Sequence, residues 1–332
     1  MKCASRSPGN PQTLPLYSLH LSAFIVESWQ HDVHKGYESR LIKSMEMISI
    51  IIPMYNEEEA IGGDLDTIIQ TMSSCDVPWE LIVVDDGSTD ASAEIVRRRE
   101  GVRLIQHAHN RGTGAARTTG LKHARGDVIV MTDGDGTYPN QDIPRLLAHV
   151  GEYDLVIGAR KAETGSLRWL RSPTKLFIRL LASYMTGVKI PDLNSGLRAF
   201  KKSVAEEFLD IQPTTHSWVG TQTVAFLSEG YAVEFIPIDY YQRKGSKSSF
   251  HPIADTYNYI SLVVRTIMYF NPLKVFLPVA LALIVVGAAK LVRDVIYYRS
   301  FYVPGVTLML ILTAIQVGAI GLLADLIVKR AR

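Results

Sequence analysis

Two uncharged stretches near the C-terminus limit what this chain can be more than any other feature. Residues 275–289 carry no charge, and if Lys290 snorkels the stretch runs to Val292; residues 301–324 carry none at all. Each approaches or exceeds the ~20 residues with which a helix crosses a bilayer. Two spanning helices over 273–328 follow, with a tight hairpin turn at 293–300 and a short basic tail at 329–332. Lys244, Lys247, Arg265 and Lys274 precede the first span, and Lys329, Arg330 and Arg332 follow the second. The positive-inside bias therefore puts both flanks in the cytoplasm, with Arg293 and Arg299 in the turn as the opposing charges. The competing reading, two buried helices of a soluble core, needs uncharged runs of a length rare in globular folds.

What lies upstream is large enough for a folded domain. The chain has 332 residues, of which 47% are hydrophobic and 20% charged, which excludes disorder for most of it. A formal net charge of +2 with scattered basic residues does not suit a nucleic-acid partner. Cys3 and Cys75 are the only cysteines, so there is neither a disulfide framework nor a cysteine metal site, and a reducing compartment fits. Residues 1–45 read as an extension ahead of the domain. Leu14 to Val26 is mildly apolar, but Ser18, His20 and Ser22 interrupt it and no clean cleavage site follows.

From Met47 to about Asp239 short β-branched runs alternate with helical stretches. ISIII (48–52), ELIVV (80–84), VRLIQ (102–106) and DVIVMT (127–132) are continuously apolar, as buried parallel strands are. Helices are expected after Asn56, after Ser88 and after Gly114, with Ser88, Thr89 and Asp90 as N-cap candidates for the second. The alternation predicts a doubly wound α/β domain, whose ligands bind beyond the carboxyl ends of its strands. That edge would carry Pro53, Tyr55, Asn56 and Glu57 from the first strand, Asp85, Asp86, Gly87 and Ser88 from the second, and Asp133 and Asp135 from the fourth. Farther on, Arg168, Arg171, Lys175 and Arg179 share one helical face, either solvated or laid against anionic headgroups. The stretch 251–272 has aromatics suited to an amphipathic helix at the headgroup level.

Asp133 and Asp135 stand one residue apart in VMTDGDGTYP. Two carboxylates on one turn repel unless a cation sits between them, and Mg²⁺ commonly takes one or two carboxylates together with substrate phosphate oxygens. A metal-bound diphosphate is the reading this suggests. An ordinary turn and a calcium loop are the alternatives, although no glutamate falls at the twelfth position an EF-hand loop requires.

PMYNEEEAI (53–61), VVDDGSTD (83–90), HNRGTGAARTTGLKHARGD (109–127) and DGDGTYP (133–139) resemble the family 2 glycosyltransferases in order and spacing. The resemblance implies a GT-A-type, Rossmann-like doubly wound domain at 46–250, followed here by the transmembrane helical hairpin. It further implies an inverting sugar transfer from a UDP- or GDP-linked donor, with Mg²⁺ or Mn²⁺ as the cofactor. By matching position, Pro53, Tyr55, Glu57 and Asp86 would surround base and ribose. Asn56, Asp85, Gly87, Asn110, Gly112, Gly114, Arg117 and Asp133 would complete the nucleotide-sugar site. Asp133 and Asp135 would border the diphosphate, Asp135 as the more direct metal ligand, with Thr137 where some relatives carry a third. Thr113 departs from the pattern, since many relatives have a lysine there, which leaves Arg111 or Arg117 to supply that phosphate contact.

The second half resembles polyprenyl-phosphate glycosyltransferases in PDLNSGLRAF (191–200) and QRKGSKSSF (242–250). A polyprenyl phosphate is already anionic at neutral pH, so it needs cations more than a base. Arg198, Arg243, Lys244, Ser246 and Lys247 are suitable, arginine giving a bidentate grip, with a solvated basic loop as the alternative. Arg198 and Asp192 join Asp133 and Asp135 as catalytic candidates, Asp192 being the base a hydroxyl acceptor would require. Dolichol-phosphate mannosyltransferases tend to have an acid at the start of the helix that here reads HSWVGTQTVAFLSEGY, and this chain has His216, Ser217 and Trp218 instead. A processive polysaccharide synthase would want more spans and a Gln-x-x-Arg-Trp motif, while a catalytically dead membrane scaffold would not need Asp133 and Asp135. Gly318 and Gly321 offer small-residue packing of the spans against neighbours, as a homo-oligomer would use.

Overall fold

The computed structural model describes residues 47–161, 179–184, 186–243, 264–265, 268–298 and 303–331. The extension at 1–45, most of the basic face around Arg168 to Arg179, most of 251–272, and Lys244, Ser246 and Lys247 lie outside the described residues.

Seven strands form one sheet: β1 (Ile48–Met54), β2 (Trp79–Asp85), β3 (Val102–Gln106), β4 (Val128–Met131), β5 (Leu155–Arg160), β6 (Arg198–Lys201) and β7 (Val233–Ile238), in the order β3-β2-β1-β4-β6-β5-β7. The four strands expected from the sequence are the parallel half, with β1 paired to β2 and β4, and β2 to β3. β6 runs antiparallel to both β4 and β5. Every residue of β1 is buried, as a central strand covered on both faces requires. VRLIQ, expected to be buried, is only half so because β3 is the sheet's edge. At the other edge β7 tolerates Pro237, which has no N–H to give a ladder.

Helices α1 (Ile61–Ser73), α2 (Ser92–Arg97), α3 (Thr113–His123), α4 (Ile143–Leu147), α5 (Lys202–Glu206) and α6 (Trp218–Ser228) cover the two faces. In α1, Ile61, Leu65, Ile68 and Met72 recur at helical spacing and pack with Ile48, Ile50 and Ile52. On the opposite face Ile51, Ile82 and Val84 meet Leu121 of α3 and Trp218 and Phe226 of α6. Each such fully buried aliphatic side chain contributes about 2 kcal/mol relative to exposure.

The C-terminal hairpin is α7 (Leu273–Tyr298) and α8 (Gly305–Ala331), with mean hydropathies of 2.5 and 2.3 over their most apolar windows and large apolar side chains facing outward. Both are long and apolar enough to cross a membrane. The turn expected at 293–300 is shorter, since α7 continues to Tyr298. Its polar residues are used inside the hairpin: Lys290 Nζ donates to Asp294 Oδ2 (2.6 Å) and Thr307 Oγ1 (3.1 Å), and the Thr307 hydroxyl donates to Asp294 Oδ2 (3.0 Å). Lys290 is thus paired rather than snorkelling to the interface. The small residues are also consumed within the chain. A Cβ on Gly321 would come within 2.6 Å of Phe276 Cβ, and Gly318 faces Ala280. They let α8 lie close on α7.

Candidate active site

The loops leaving β1 and β2 are stitched together. Asn56 N–H donates to Ser88 Oγ (3.0 Å), Glu57 N–H to Ser92 Oγ (2.8 Å) and Glu58 N–H to Asp90 Oδ2 (3.2 Å), while Thr89 N–H donates back to Asn56 Oδ1 (2.8 Å). Asp90 Oδ1 also accepts from the N–H of Ser92, the first residue of α2 (3.0 Å), so Asp90 caps that helix end as expected, while Ser88 and Thr89 do not. All three hold the β1 loop in place, with Asn56 at a positive φ of 54° and Tyr55 exposed beside it. Pro53 sits near the end of β1, past the last residue paired with β4.

Asp85, the last residue of β2, and Asp86, just after it, have different partners. Asp85 accepts from Ser88 N–H (2.9 Å) and Gln106 Nε2 (2.9 Å), tying β2 to β3. Asp86 accepts from the N–H groups of Arg111 (3.0 Å) and Gly112 (2.7 Å) and contacts His107 Nδ1 (2.6 Å), whose other nitrogen meets Thr119 Oγ1. This latches the chain segment that opens α3, and Asn110 Oδ1 joins it by accepting from the same Gly112 N–H. Gly87 occupies the turn immediately after Asp86. In the glycine-rich segment the N–H groups of Gly114 and Ala115 are both taken up by Thr214 O. At φ 96° a Cβ on Gly112 would lie 2.4 Å from that carbonyl oxygen, and one on Gly114 would lie 2.3 Å from Pro213 O. The geometry gives these two glycines a packing role against 213–215.

Asp133 and Asp135 emerge beyond β4 and are held from several sides. Arg117 Nη2 on α3 donates to Asp133 Oδ1 (2.6 Å), and Gly196 backs the same carboxylate, a Cβ there falling 2.5 Å from Asp133 Oδ2. Thr137 donates both its N–H (3.2 Å) and its hydroxyl (2.6 Å) to Asp135 Oδ1, so its hydroxyl orients Asp135. Beneath the turn lies a brace that the sequence did not suggest. Asp64 on the buried face of α1 accepts from Gly136 N–H (2.8 Å) and Asn140 Nδ2 (2.9 Å), and the Thr132 hydroxyl donates to Asn140 Oδ1 (2.8 Å). An acid amid Ile61, Leu65 and Ile68 is the signal that could have found it.

Two of the catalytic candidates are committed elsewhere. Asp192 accepts four N–H donors: Arg160 Nε (2.7 Å), Arg160 Nη2 (2.9 Å), and the backbones of Arg160 (3.2 Å) and Asn194 (3.1 Å). Burial alone would raise its pKa, but the Arg160 hydrogen bonds and charge win and hold the carboxyl below the usual range. It is not a general base. Arg198 is fully buried, donating to Ser195 O, Val219 O (2.9 Å), Gln222 Oε1 (2.9 Å) and Thr223 Oγ1 (3.4 Å), and burial lowers its pKa to about 9. It cannot grip an acceptor phosphate. Trp218 is likewise a core residue, its Nε1 donating to Thr118 Oγ1 (3.0 Å).

Arg243 is brought to the acids by the segment after β7. Tyr241 N–H donates to Thr137 O (2.9 Å), Tyr240 packs edge-on against Tyr138, and Arg160 lies over the Tyr240 ring. Arg243 then reaches Glu57, through Nη2 to Oε1, and places Nε 3.7 Å from Asp135 Oδ2. Asp133, Asp135, Glu57, Arg117 and Arg243 thus converge at the carboxyl edge of the sheet.

Residues 49–209 match the family model of Glycosyl transferase family 2, and residues 271–329 match that of the GtrB C-terminal hairpin. The domain at 49–209 is a family 2 glycosyltransferase domain. It is similar to an undecaprenyl-phosphate 4-deoxy-4-formamido-L-arabinose transferase from Edwardsiella ictaluri, 30% identical over 63% of this chain and 64% of the relative. It is also similar to a dodecaprenyl-phosphate galacturonate synthase from Rhizobium johnstonii, 27% identical over 87% of this chain and 89% of the relative. The chain thus spans just under two thirds of the first relative and most of the second. Among solved structures, a glucosyl-3-phosphoglycerate synthase from Mycobacterium tuberculosis in complex with Mn²⁺, UDP and phosphoglyceric acid superposes with a TM-score of 0.55 at 18% identity, covering 70% of this chain and 82% of that one. That likeness shows a shared GT-A fold.

In this glycosyltransferase domain the residues present fit a divalent ion completed by phosphate oxygens. Among the described residues no three His, Cys, Asp or Glu side chains enclose a metal on their own, whereas Asp133 and Asp135 supply hard oxygens one residue apart. Burial first, and the Asp133 charge second, raise the Asp135 pKa, the expected condition of a carboxylate short of positive charge. Glu57 shares that condition: burial pushes its carboxyl up to about 7 against the Arg243 charge, and Oε2 has no hydrogen-bond partner.

A stability test follows from Glu57. Its folded carboxyl retains a proton between about 4.5 and 7 that the unfolded chain has released, so stability falls as pH rises through that window and the penalty is complete above it. In metal-free protein, E57Q is expected to flatten part of the decline in melting temperature between pH 4.5 and 7. An unchanged slope would show that Glu57 ionises normally.

Proposed function

We propose that this protein transfers a single sugar from a nucleotide-diphosphate sugar to a polyprenyl phosphate, with inversion, at the cytoplasmic face of a membrane. The observation that carries this reading is the meeting of Asp133, Asp135, Arg117 and Arg243 at one sheet edge, in a chain that ends in two membrane-length helices. The names of the two relatives, both polyprenyl-phosphate sugar enzymes, support the acceptor class, and the UDP and Mn²⁺ held by the solved neighbour support a nucleotide donor and a divalent ion.

In this mechanism Asp133 and Asp135 would hold the ion, which when bound would supply positive charge to a departing diphosphate. Arg117, buried on α3, fixes Asp133, and Thr137 fixes Asp135, so the acids are oriented before substrate arrives. An acceptor phosphate oxygen attacks the anomeric carbon from the face opposite the leaving group. The bond to the donor's β-phosphate oxygen breaks, its electron pair leaves with the nucleoside diphosphate, and configuration inverts. No proton has to be removed from an ionised phosphate, which suits a site where Asp192 is committed to Arg160. Arg243 is the described cation of the acceptor set placed to meet the incoming charge. With Lys274 on one flank of the hairpin and Lys329 and Arg330 on the other, the positive-inside bias favours a cytoplasmic domain.

The test is to incubate membranes containing the enzyme with polyprenyl phosphate and a panel of UDP- and GDP-sugars, then to identify the sugar on the extracted lipid. One donor should yield a lipid phosphodiester carrying a single sugar. Sugar recovered only on a water-soluble or polymeric acceptor would sink the reading.

A further inference from the structure

We infer that Arg243 is a resident cation of the metal-free site, standing in for part of the divalent ion's charge and competing with it until nucleotide arrives. The inference rests on the metal-site reading above. It starts from a contrast between pairs. Arg160 and Asp192 form a closed pair, with two guanidinium donors and two backbone N–H groups saturating one carboxylate. Arg117 is 4% exposed on a helix and is fixed on Asp133.

Arg243 differs from both in exposure and in its place on the chain, although Arg117 Nε likewise has no hydrogen-bond partner. It is 34% exposed, it lies on a connecting segment after β7, and its Nε has no hydrogen-bond partner although Asp135 Oδ2 lies 3.7 Å away. The carboxylate it touches is also incompletely used, since Glu57 Oε2 is buried without a partner. The guanidinium therefore holds Glu57 through a single hydrogen bond, leaves Glu57 Oε2 unpaired, and faces Asp135 by charge alone. Like-charged Glu57, Asp133 and Asp135 need a cation here, and a divalent ion on Asp135 would repel a guanidinium at this distance. Metal binding must then move Arg243 away from Asp135, which frees a planar two-pronged donor at the place where diphosphate and acceptor phosphate meet. Arg243 would thus lower metal affinity in the nucleotide-free enzyme and raise it once a diphosphate gives the guanidinium another anion.

The test uses the full chain in detergent, free of nucleotide and lipid, titrated with Mn²⁺ and followed by electron paramagnetic resonance of the free ion. R243Q is expected to bind Mn²⁺ about tenfold more tightly than wild type, the order of effect of removing one nearby unit charge in a partly screened site. R243K, which keeps the charge, should stay close to wild type, and D135N should lose binding in every background. With UDP present the advantage of R243Q should vanish or reverse. Equal affinities of wild type and R243Q, with D135N still defective, would overturn the competition and leave the metal site intact. An advantage of R243Q unchanged by UDP would also overturn it. Undiminished binding by D135N, or no binding by any of the proteins, would overturn both the competition and the metal-site reading.

Discussion

Replacing Asp135 by asparagine should abolish formation of lipid-linked sugar, lowering the rate about a thousandfold or more, while leaving the protein folded. The magnitude is that of removing a principal electrostatic stabiliser of a departing charge. The preserved fold has a specific reason. Burial and the neighbouring Asp133 raise the Asp135 pKa, so an ionised carboxylate there costs stability in the metal-free protein and asparagine removes that cost. The brace of Asp64, Asn140 and Gly136 beneath the turn does not involve the Asp135 side chain. Transfer of labelled sugar to polyprenyl phosphate, measured beside the melting temperature of the same preparation, checks both halves. Retained transfer would remove Asp135 from the mechanism, and a collapsed melting transition would make it structural.

Arg198→Ala should have the largest effect on stability, about 3–5 kcal/mol, the range found when one member of a buried polar network is deleted. The guanidinium satisfies Ser195 O, Val219 O, Gln222 Oε1 and Thr223 Oγ1 at once, and truncation removes that donor from Ser195 O and Gln222 Oε1 in a dry site, while Val219 O keeps the Thr223 hydroxyl. Lysine should rescue little, because a single ammonium cannot span the fork of acceptors. Thermal unfolding in detergent checks the loss. The same variant separates the two roles considered for this residue: in whatever fraction stays folded, KM for the lipid phosphate should be unchanged. A raised KM with normal stability would return Arg198 to the acceptor site.

Much of the parallel half of the sheet could be read directly. The runs at 48–52, 80–84, 102–106 and 127–132 are local patterns, and each became a strand. β5 and β7 were not singled out, although LVIGAR and VEFIPI are equally β-prone, and β6 is antiparallel, an orientation that no local pattern encodes. The site was legible as a set of residues and not as an arrangement. Asp133 and Asp135 announce themselves by two like charges on one turn. Arg198 looked like a phosphate donor because a sequence shows its charge and not its surroundings. Asp192 looked like an available base for the same reason.

By itself, the sequence determined the membrane-length hairpin, the alternation of strand and helix, and which carboxylates reach the sheet's edge, because hydrophobic runs and strand ends are properties of neighbours along the chain. Tertiary structure alone decided how the charges were allotted. Arg243 and Glu57 are 186 residues apart yet share one contact, Gly112 and Gly114 yield to the carbonyls at 213–215, and Gly321 is filled by Phe276. A charge or a gap acquires its role from whatever is folded against it, and those partners are set by packing over distances that no local pattern records.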